Sequence, residues 1–277
     1  MKQDQSWIPP DVDMSRPNPA RMYDYLLGGY HNFEVDRQAA EKVMEILPHT
    51  RSMTQTNRAF VRRVIDFMLE QGIRQFMDIG AGIPTVGHIH QHAEERGHQV
   101  NVIYVDRDPI AVAHAEMLLA GNDCAAAIHA DARNPQEILE HTDTKRLIDF
   151  SQPVGFICTV VLPFIRDDEE VLALLPQFFT PLAPGSYVCL TQSCEEIASD
   201  EFLRVVEMYK KSSNPARLRP MAVIERFFDG LELVEPGLVV APLWRSDVRL
   251  EDIPGGNEYT DIAGVARIPE NGYGSGG

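Results

Sequence analysis

The sequence predicts an α/β fold built on a mostly parallel sheet with helices on both faces, and three observations carry that reading. Short apolar runs alternate with helix-patterned segments from Gln75 onward. Two of those segments open on Asp108-Pro109 and Asn134-Pro135, where a capping side chain precedes a proline preset for the first helical turn. Three helix-patterned segments come before the first strand, so an N-terminal helical annex is expected over 16–72.

The elements follow in order. Residues 1–15, with Pro9 and Pro10, read as a flexible lead-in. Asn18-Pro19 starts a helix over 21–27 and Gly28 stops it. A second helix fits 36–47 before Pro48, and a third fits 54–71, where Ala59, Phe60, Val64, Phe67 and Met68 recur at helical spacing. Seven strands are then expected, at 75–79, 99–105, 125–129, 154–161, 187–191, 231–234 and 259–267, within one domain spanning 73–270. Helices are expected at 85–95, 108–120, 135–141, 196–211 and 220–228, and one from Asp167 that Pro176 should kink or end. Residues 271–277 read as a flexible tail.

At 277 residues and 44% hydrophobic the chain can bury a real core. Its 41 acidic residues against 25 Lys and Arg give a net charge of -16, which repels phosphate backbones and anionic headgroups at long range. No nucleic acid and no membrane partner is therefore expected. Arg51, Arg58, Arg62 and Arg63 form either a local basic patch or, at helical spacing, a solvated face. The start lacks a cationic, then apolar, leader and no apolar run reaches spanning length, so a cytoplasmic location is expected. Cys124, Cys158, Cys189 and Cys194 have no metal-ribbon spacing and read as reduced thiols.

The chemistry gathers at strand ends. Asp78-Ile79-Gly80-Ala81-Gly82 lies where the first strand hands over to a helix, the place where doubly wound, Rossmann-like sheets bind nucleotide-like ligands. Glycines there let a ligand approach the backbone, although the same turn can be only a tight connection. Asp106 ends the second strand, where a carboxylate can accept from ribose hydroxyls; it could instead cap the next helix. Asp131 follows the third strand, where it can accept from an adenine amine while the Ala132 amide faces a ring nitrogen; it could instead start a turn. All three in register favour one nucleoside site. A third glycine of the pyrophosphate pattern is replaced by Thr85, and Asp78 would repel a pyrophosphate but suits a ligand bearing a sulfonium and an ammonium. A nicotinamide-dependent oxidoreductase is thereby disfavoured.

With these residues the sequence resembles the class I S-adenosylmethionine-dependent methyltransferases over 75–267. The resemblance implies that the last strand is antiparallel and inserts beside the fifth. It also implies that Asp78, Gly80 and Gly82 hold the methionine portion, with Ala81 between them also cofactor-binding, Asp106 the ribose, and Asp131 with Ala132 the adenine. Arg107 takes the place of a residue that often packs on adenine. A closer likeness runs through Arg16-Pro17, Ala20-Arg21, Tyr23-Asp24-Tyr25-Leu26-Leu27-Gly28-Gly29, Asn32-Phe33, Asp36-Arg37, Asn57-Arg58-Ala59-Phe60 and 228–237. It is to a bacterial family formerly listed as a domain of unknown function and now called S-adenosyl methyltransferase.

The expected activity is methyl transfer from S-adenosylmethionine, leaving S-adenosylhomocysteine, to an unidentified small-molecule acceptor. A non-catalytic protein that binds either compound in a regulatory role is the alternative. For the acceptor side, Tyr25, Tyr30 and His31 of the annex and Thr159 and Phe164 after the fourth strand are candidates, against the reading that they only pack. His31 is the candidate base if one is needed. The fourth strand lacks the Asp/Asn-Pro-Pro-aromatic sequence of base-directed amino methyltransferases. His88-Ile89-His90-Gln91-His92 has no matching third ligand, so no metal is expected.

Overall fold

The computed structural model describes residues 15–83, 88–210 and 214–274. The expected lead-in over 1–14, the helix start at Thr85, the helix end at Lys211 and the tail residues 275–277 lie outside them.

Five strands form the parallel part of one sheet: β1 (Gln75–Ile79), β2 (Asn101–Asp106), β3 (Ala125–His129), β4 (Gly155–Cys158) and β5 (Tyr187–Ser193). Next come β6 (Glu232–Leu233), β7 (Val239–Val240) and β8 (Asp261–Arg267). The order is β3-β2-β1-β4-β5-β8-β6, with β7 also paired to β8 and β8 antiparallel to β5. The sheet thus has eight strands where seven were expected. The extra one, β7, is two residues long, too short for alternation to announce it in sequence.

Strand order reverses between β1 and β4, which opens a crevice at the carboxyl ends of the parallel strands. Because β8 runs the other way, its first residue, Asp261, comes to that same edge opposite Ser193.

Helices cover both faces: α1 (Pro19–Leu26), α2 (Glu34–Ile46), α3 (Thr50–Glu70), α4 (Ile89–Glu95), α5 (Pro109–Leu118), α6 (Pro135–Glu140), α7 (Thr142–Leu147), α8 (Asp168–Phe179), α9 (Asp200–Tyr209) and α10 (Met221–Arg226). Alternation along the strands builds one core on each face. Met77, Ile79, Ile103 and Val105 pack with α8 on one side, and Phe76, Val102, Tyr104 and Ile157 pack with α3 on the other. Pro176 does not end α8, which continues to Phe179; Leu174, Leu175, Phe178 and Phe179 are all buried around it. The short α7 was not anticipated.

Two of the expected helix starts behave as the capping chemistry requires. Asn18 accepts from the Ala20 amide at 2.8 Å and Asp108 from the Ile110 amide at 2.8 Å, whereas the Asn134 side chain makes no capping bond. The long α3 belongs to the sheet's second core, while α1 and α2 share a smaller core of Met22, Leu26, Ala40, Val43 and Leu47 with Val205 of α9.

A buried ion triad joins α1 to the sheet. Arg21 Nε lies 3.5 Å from Asp36 of α2 and 3.4 Å from Asp108 at the start of α5, and all three side chains are nearly fully buried. Asp36 also accepts the Asn18 and Phe33 amides at 2.9 Å each. Removing the cation would strand two buried carboxylates. Arg21→Ala is expected to cost about 3–5 kcal/mol in urea unfolding; a loss below about 1 kcal/mol would mean that water reaches those carboxylates.

Candidate functional site

A cavity of about 360 Å³ opens at the carboxyl edge of the sheet beneath α1, α2, α3 and α9. That size is within the usual range for small-ligand sites. Asp78, Gly80, Ala81, Gly82, Asp106, Arg107, Asp131 and Ala132 all line it. The three aspartates named from sequence therefore share one hollow.

The glycine turn after β1 is held tightly. Gly80 has φ of +75°, and a Cβ there would stand 2.0 Å from Val161 Cγ2, so neither the conformation nor the space admits a side chain. The Gly80 and Ala81 amides donate to the Val105 carbonyl at 2.8 and 3.0 Å, and the Gly82 amide donates to Asp106 Oδ2 at 2.8 Å. Asp106 Oδ1 accepts from the Asp108 amide at 2.7 Å. Each Asp106 oxygen keeps a lone pair for a further donor.

Burial raises the Asp106 carboxyl above the ordinary range against the pull of those two amides. Asp78 is raised to about 7, because burial and the charge of Asp106 together outweigh the Arg58 guanidinium. Asp131 goes the other way. Arg133 holds it through Nε at 3.0 Å and Nη2 at 2.5 Å, and its carboxyl is lowered. Arg133 was not anticipated, although at two residues from Asp131 on a turn its reach was readable. Arg107 is exposed at the rim and donates to the Asn214 side chain.

Three expected acceptor-side residues stand outside the cavity. Tyr30 is 91% exposed, because the loop after Gly28 turns it to solvent. Tyr25 donates to Glu41 at 3.0 Å and lies under Arg51, 4.8 Å from the guanidinium carbon. His31 lies against His114 with ring centroids 3.7 Å apart and the rings tilted by 44°, and it does not line the cavity. Thr159 and Phe164 do line the cavity. They are set by a strained turn: Val160 has φ of +57°, and its amide donates to Thr191 Oγ1 at 2.8 Å. Buried Arg219 fixes the next segment by donating to the Leu162 carbonyl at 2.9 Å, Gln192 Oε1 at 2.8 Å and Asp168 at 2.9 Å.

Among the other lining residues, Tyr23 belonged to the aromatic surface expected of the N-terminal helices, whereas Asn57, Arg58, Ser193 and Asp261 were not expected at the site. Asn57 and Arg58 come from α3, Tyr23 from α1, Ser193 from β5 and Asp261 from β8. Arg58 belonged to a run legible as a solvated face; instead its guanidinium lies 5.4 Å from the Tyr23 ring and its Nε is buried with no hydrogen bond. The histidine run is engaged elsewhere, His90 with Tyr104 at 2.8 Å and His92 with Asp66 at 2.8 Å. Among the described residues no group of three or more His, Cys, Asp or Glu could hold a metal ion, and no helix is long and apolar enough to cross a membrane.

The S-adenosyl methyltransferase family model matches residues 5–269. The chain belongs to that family. Its cofactor is S-adenosylmethionine, and its fold is that of the Rossmann-like methyltransferases. A solved structure of a candidate methyltransferase from Thermobifida fusca YX is similar at 34% identity, covering 95% of this chain and 99% of that one, with a TM-score of 0.86. A DUF574 family protein from Streptomyces avermitilis MA-4680 is similar at 33% identity, covering 93% and 99%, with a TM-score of 0.87. No protein with a curated description matches the chain.

For this methyltransferase the position of Asp78 sets a pH dependence. Its folded value of about 7 exceeds the ordinary 3.8, so the ligand-free fold keeps a proton that the unfolded chain releases, and stability falls as pH rises between those values. Asp78→Asn should therefore raise the melting temperature of the ligand-free protein at about pH 8. The wild type should bind S-adenosylhomocysteine up to roughly tenfold more tightly at about pH 8 than at about pH 6, as the carboxylate ionises to meet an ammonium. Calorimetry showing the same affinity at both pH values would remove Asp78 from that role.

Proposed function

We propose that this protein transfers the methyl group of S-adenosylmethionine to a small-molecule acceptor within the cavity under the annex. One observation carries the reading: carboxylates from the ends of β1 and β2 and from just after β3 line a single hollow that helices α1, α2 and α9 roof. Asp78 would receive the ammonium of the methionine portion, and the backbone of Gly80, Ala81 and Gly82 would lie beside it. Asp106 would accept from the ribose hydroxyls. Asp131, oriented by Arg133, and the Ala132 amide would meet the adenine, with Arg107 at its rim.

The donor set fits that ligand on this structure's own terms. Arg58 Nε is a buried donor with no hydrogen bond, close enough to Asp78 to lower its carboxyl, and the pair complements the two opposite charges at a methionine end. Bound there, S-adenosylmethionine supplies a methyl already activated by a sulfonium. The protein's part is then to align the acceptor and exclude water, and alignment alone can supply much of the acceleration. Apolar side chains of Met22, Leu26, Val43 and Leu47 wall the acceptor side.

The acidity of the chain suits a small-molecule substrate better than nucleic acid, and four unpaired cysteines suit a reducing cytoplasm. Thermal shift tests the cofactor reading. At a hundred times its dissociation constant S-adenosylhomocysteine stabilises by about 2.7 kcal/mol, whereas NAD should give no shift. Asp106→Ala should reduce the response by losing a charged acceptor worth about 1.5–3 kcal/mol. A response to NAD alone, or an unchanged response in folded Asp106→Ala, would refute it. Release of S-adenosylhomocysteine across a metabolite panel separates an enzyme from a protein that only binds.

A further inference from the structure

The end of the cavity away from Asp131 carries a second polar cluster on β5, β8, α1 and α3. Ser193 donates its hydroxyl to Asp261 Oδ1 at 2.6 Å. Among the described residues the other Asp261 oxygen receives no hydrogen bond, and Asp261 lines the cavity. Tyr23 and Asn57 stand nearby. The Tyr23 hydroxyl gives its only proton to the Thr54 carbonyl at 3.2 Å, so it must accept from Asn57 Nδ2 at 3.0 Å. That fixes the amide: Asn57 Oδ1 points elsewhere, buried with no hydrogen bond, as is Thr260 Oγ1.

The cluster therefore offers acceptors. A free carboxylate oxygen and an amide oxygen ask for several N–H donors, and an ammonium has three where an alcohol has one. A partly enclosed carboxylate whose protein partner is a neutral hydroxyl is also the electrostatic complement of a cation. Asp261 lies on the order of 10 Å from the end of β4, two strand spacings across the sheet edge, a gap that one small molecule can fill. Opposite the cluster the walls are apolar, from Leu26, Val43, Phe202 and Val205.

We infer that the methyl acceptor is a small amine on an apolar body, and that Asp261 binds its nitrogen and takes its proton. This rests on the methyl-transfer reading above. In balance, the Asp261 carboxylate first takes one proton from the bound ammonium, which frees the nitrogen lone pair; that pair then forms the N–CH3 bond as the C–S bond of the sulfonium breaks, the C–S electron pair stays on sulfur, and the product leaves as a methylammonium. Burial raises that carboxyl above the ordinary range and the Ser193 hydroxyl lowers it, so it is a stronger base than a solvated aspartate. The charged and titratable groups lining the cavity around it are Tyr23 of α1, Arg58 of α3, Asp78 of β1 and Tyr259 of the preceding segment. Ser193 is a positioning residue.

Calorimetry on the full chain saturated with S-adenosylhomocysteine tests this with 2-phenylethylamine, 2-phenylethanol and phenylacetate as probes. The amine should bind at least tenfold more tightly than the alcohol or the acid. Asp261→Asn should abolish that preference while keeping S-adenosylhomocysteine affinity within about twofold, which also shows that the variant is folded. Where the amine is methylated, the acid limb of the rate should move to higher pH in Ser193→Ala, because the hydroxyl no longer holds the carboxyl down. An amine bound no better than the alcohol, or a preference that survives in Asp261→Asn, overturns the inference. Failure of S-adenosylhomocysteine to bind the wild type would instead overturn the cofactor reading, and this inference with it.

Discussion

The Asp106 carboxylate is the point on which the site depends. One oxygen receives the Gly82 amide and the other the Asp108 amide, so a single side chain fixes both the glycine turn after β1 and the entry to α5. Asp108 in turn faces Arg21, and Arg21 faces Asp36, which caps α2. A continuous polar path thus runs from the turn under the cofactor site to the helices that roof it. The placement of α1 and α2 and the shape of the cavity floor beneath them rest on the same few contacts.

This arrangement gathers like charges in a partly dry space, which costs stability and supplies function. Burial and the charge of Asp106 raise the Asp78 carboxyl against the Arg58 guanidinium, and burial and the charge of Asp108 raise Asp106. A ligand that carries an ammonium and a sulfonium, bound as proposed, would relieve that repulsion. The family's cofactor is therefore the natural complement of the acidic edge, and the glycine turn, filled by Val161 beside Gly80, is open at Gly82.

Much of this was legible before any coordinates. Asp78 and Asp106 lie at the carboxyl ends of β1 and β2 and Asp131 just past β3, and in a parallel sheet all such ends lie on one edge, so order along the chain was enough to bring them together. The acceptor side was harder. Tyr30 and His31 looked available because a glycine pair exposes a loop, but that same exposure turned Tyr30 to solvent, and His31 lies against His114 outside the cavity. Arg58 and Asn57 lie on a helix whose polar residues read equally well as a solvated face, and only the packing of α1 over α3 encloses them. Asp261 and Ser193 meet because β8 is antiparallel; the expected direction of that strand was the available signal, and its first residue should have been placed at the site. Pro176, expected to kink or end α8, does not end it at that point: the helix runs on to Phe179 with Leu174, Leu175, Phe178 and Phe179 buried.

The central claim is that neighbouring strand ends grip one adenosyl ligand, and a crystal structure with S-adenosylhomocysteine tests it most directly. The account predicts ribose hydroxyls within hydrogen-bonding distance of Asp106, the methionine ammonium at Asp78 and the adenine beside Asp131 and Ala132. Density for the nucleoside outside this hollow, or inside it with Asp106 pointing away from the ribose, would contradict it.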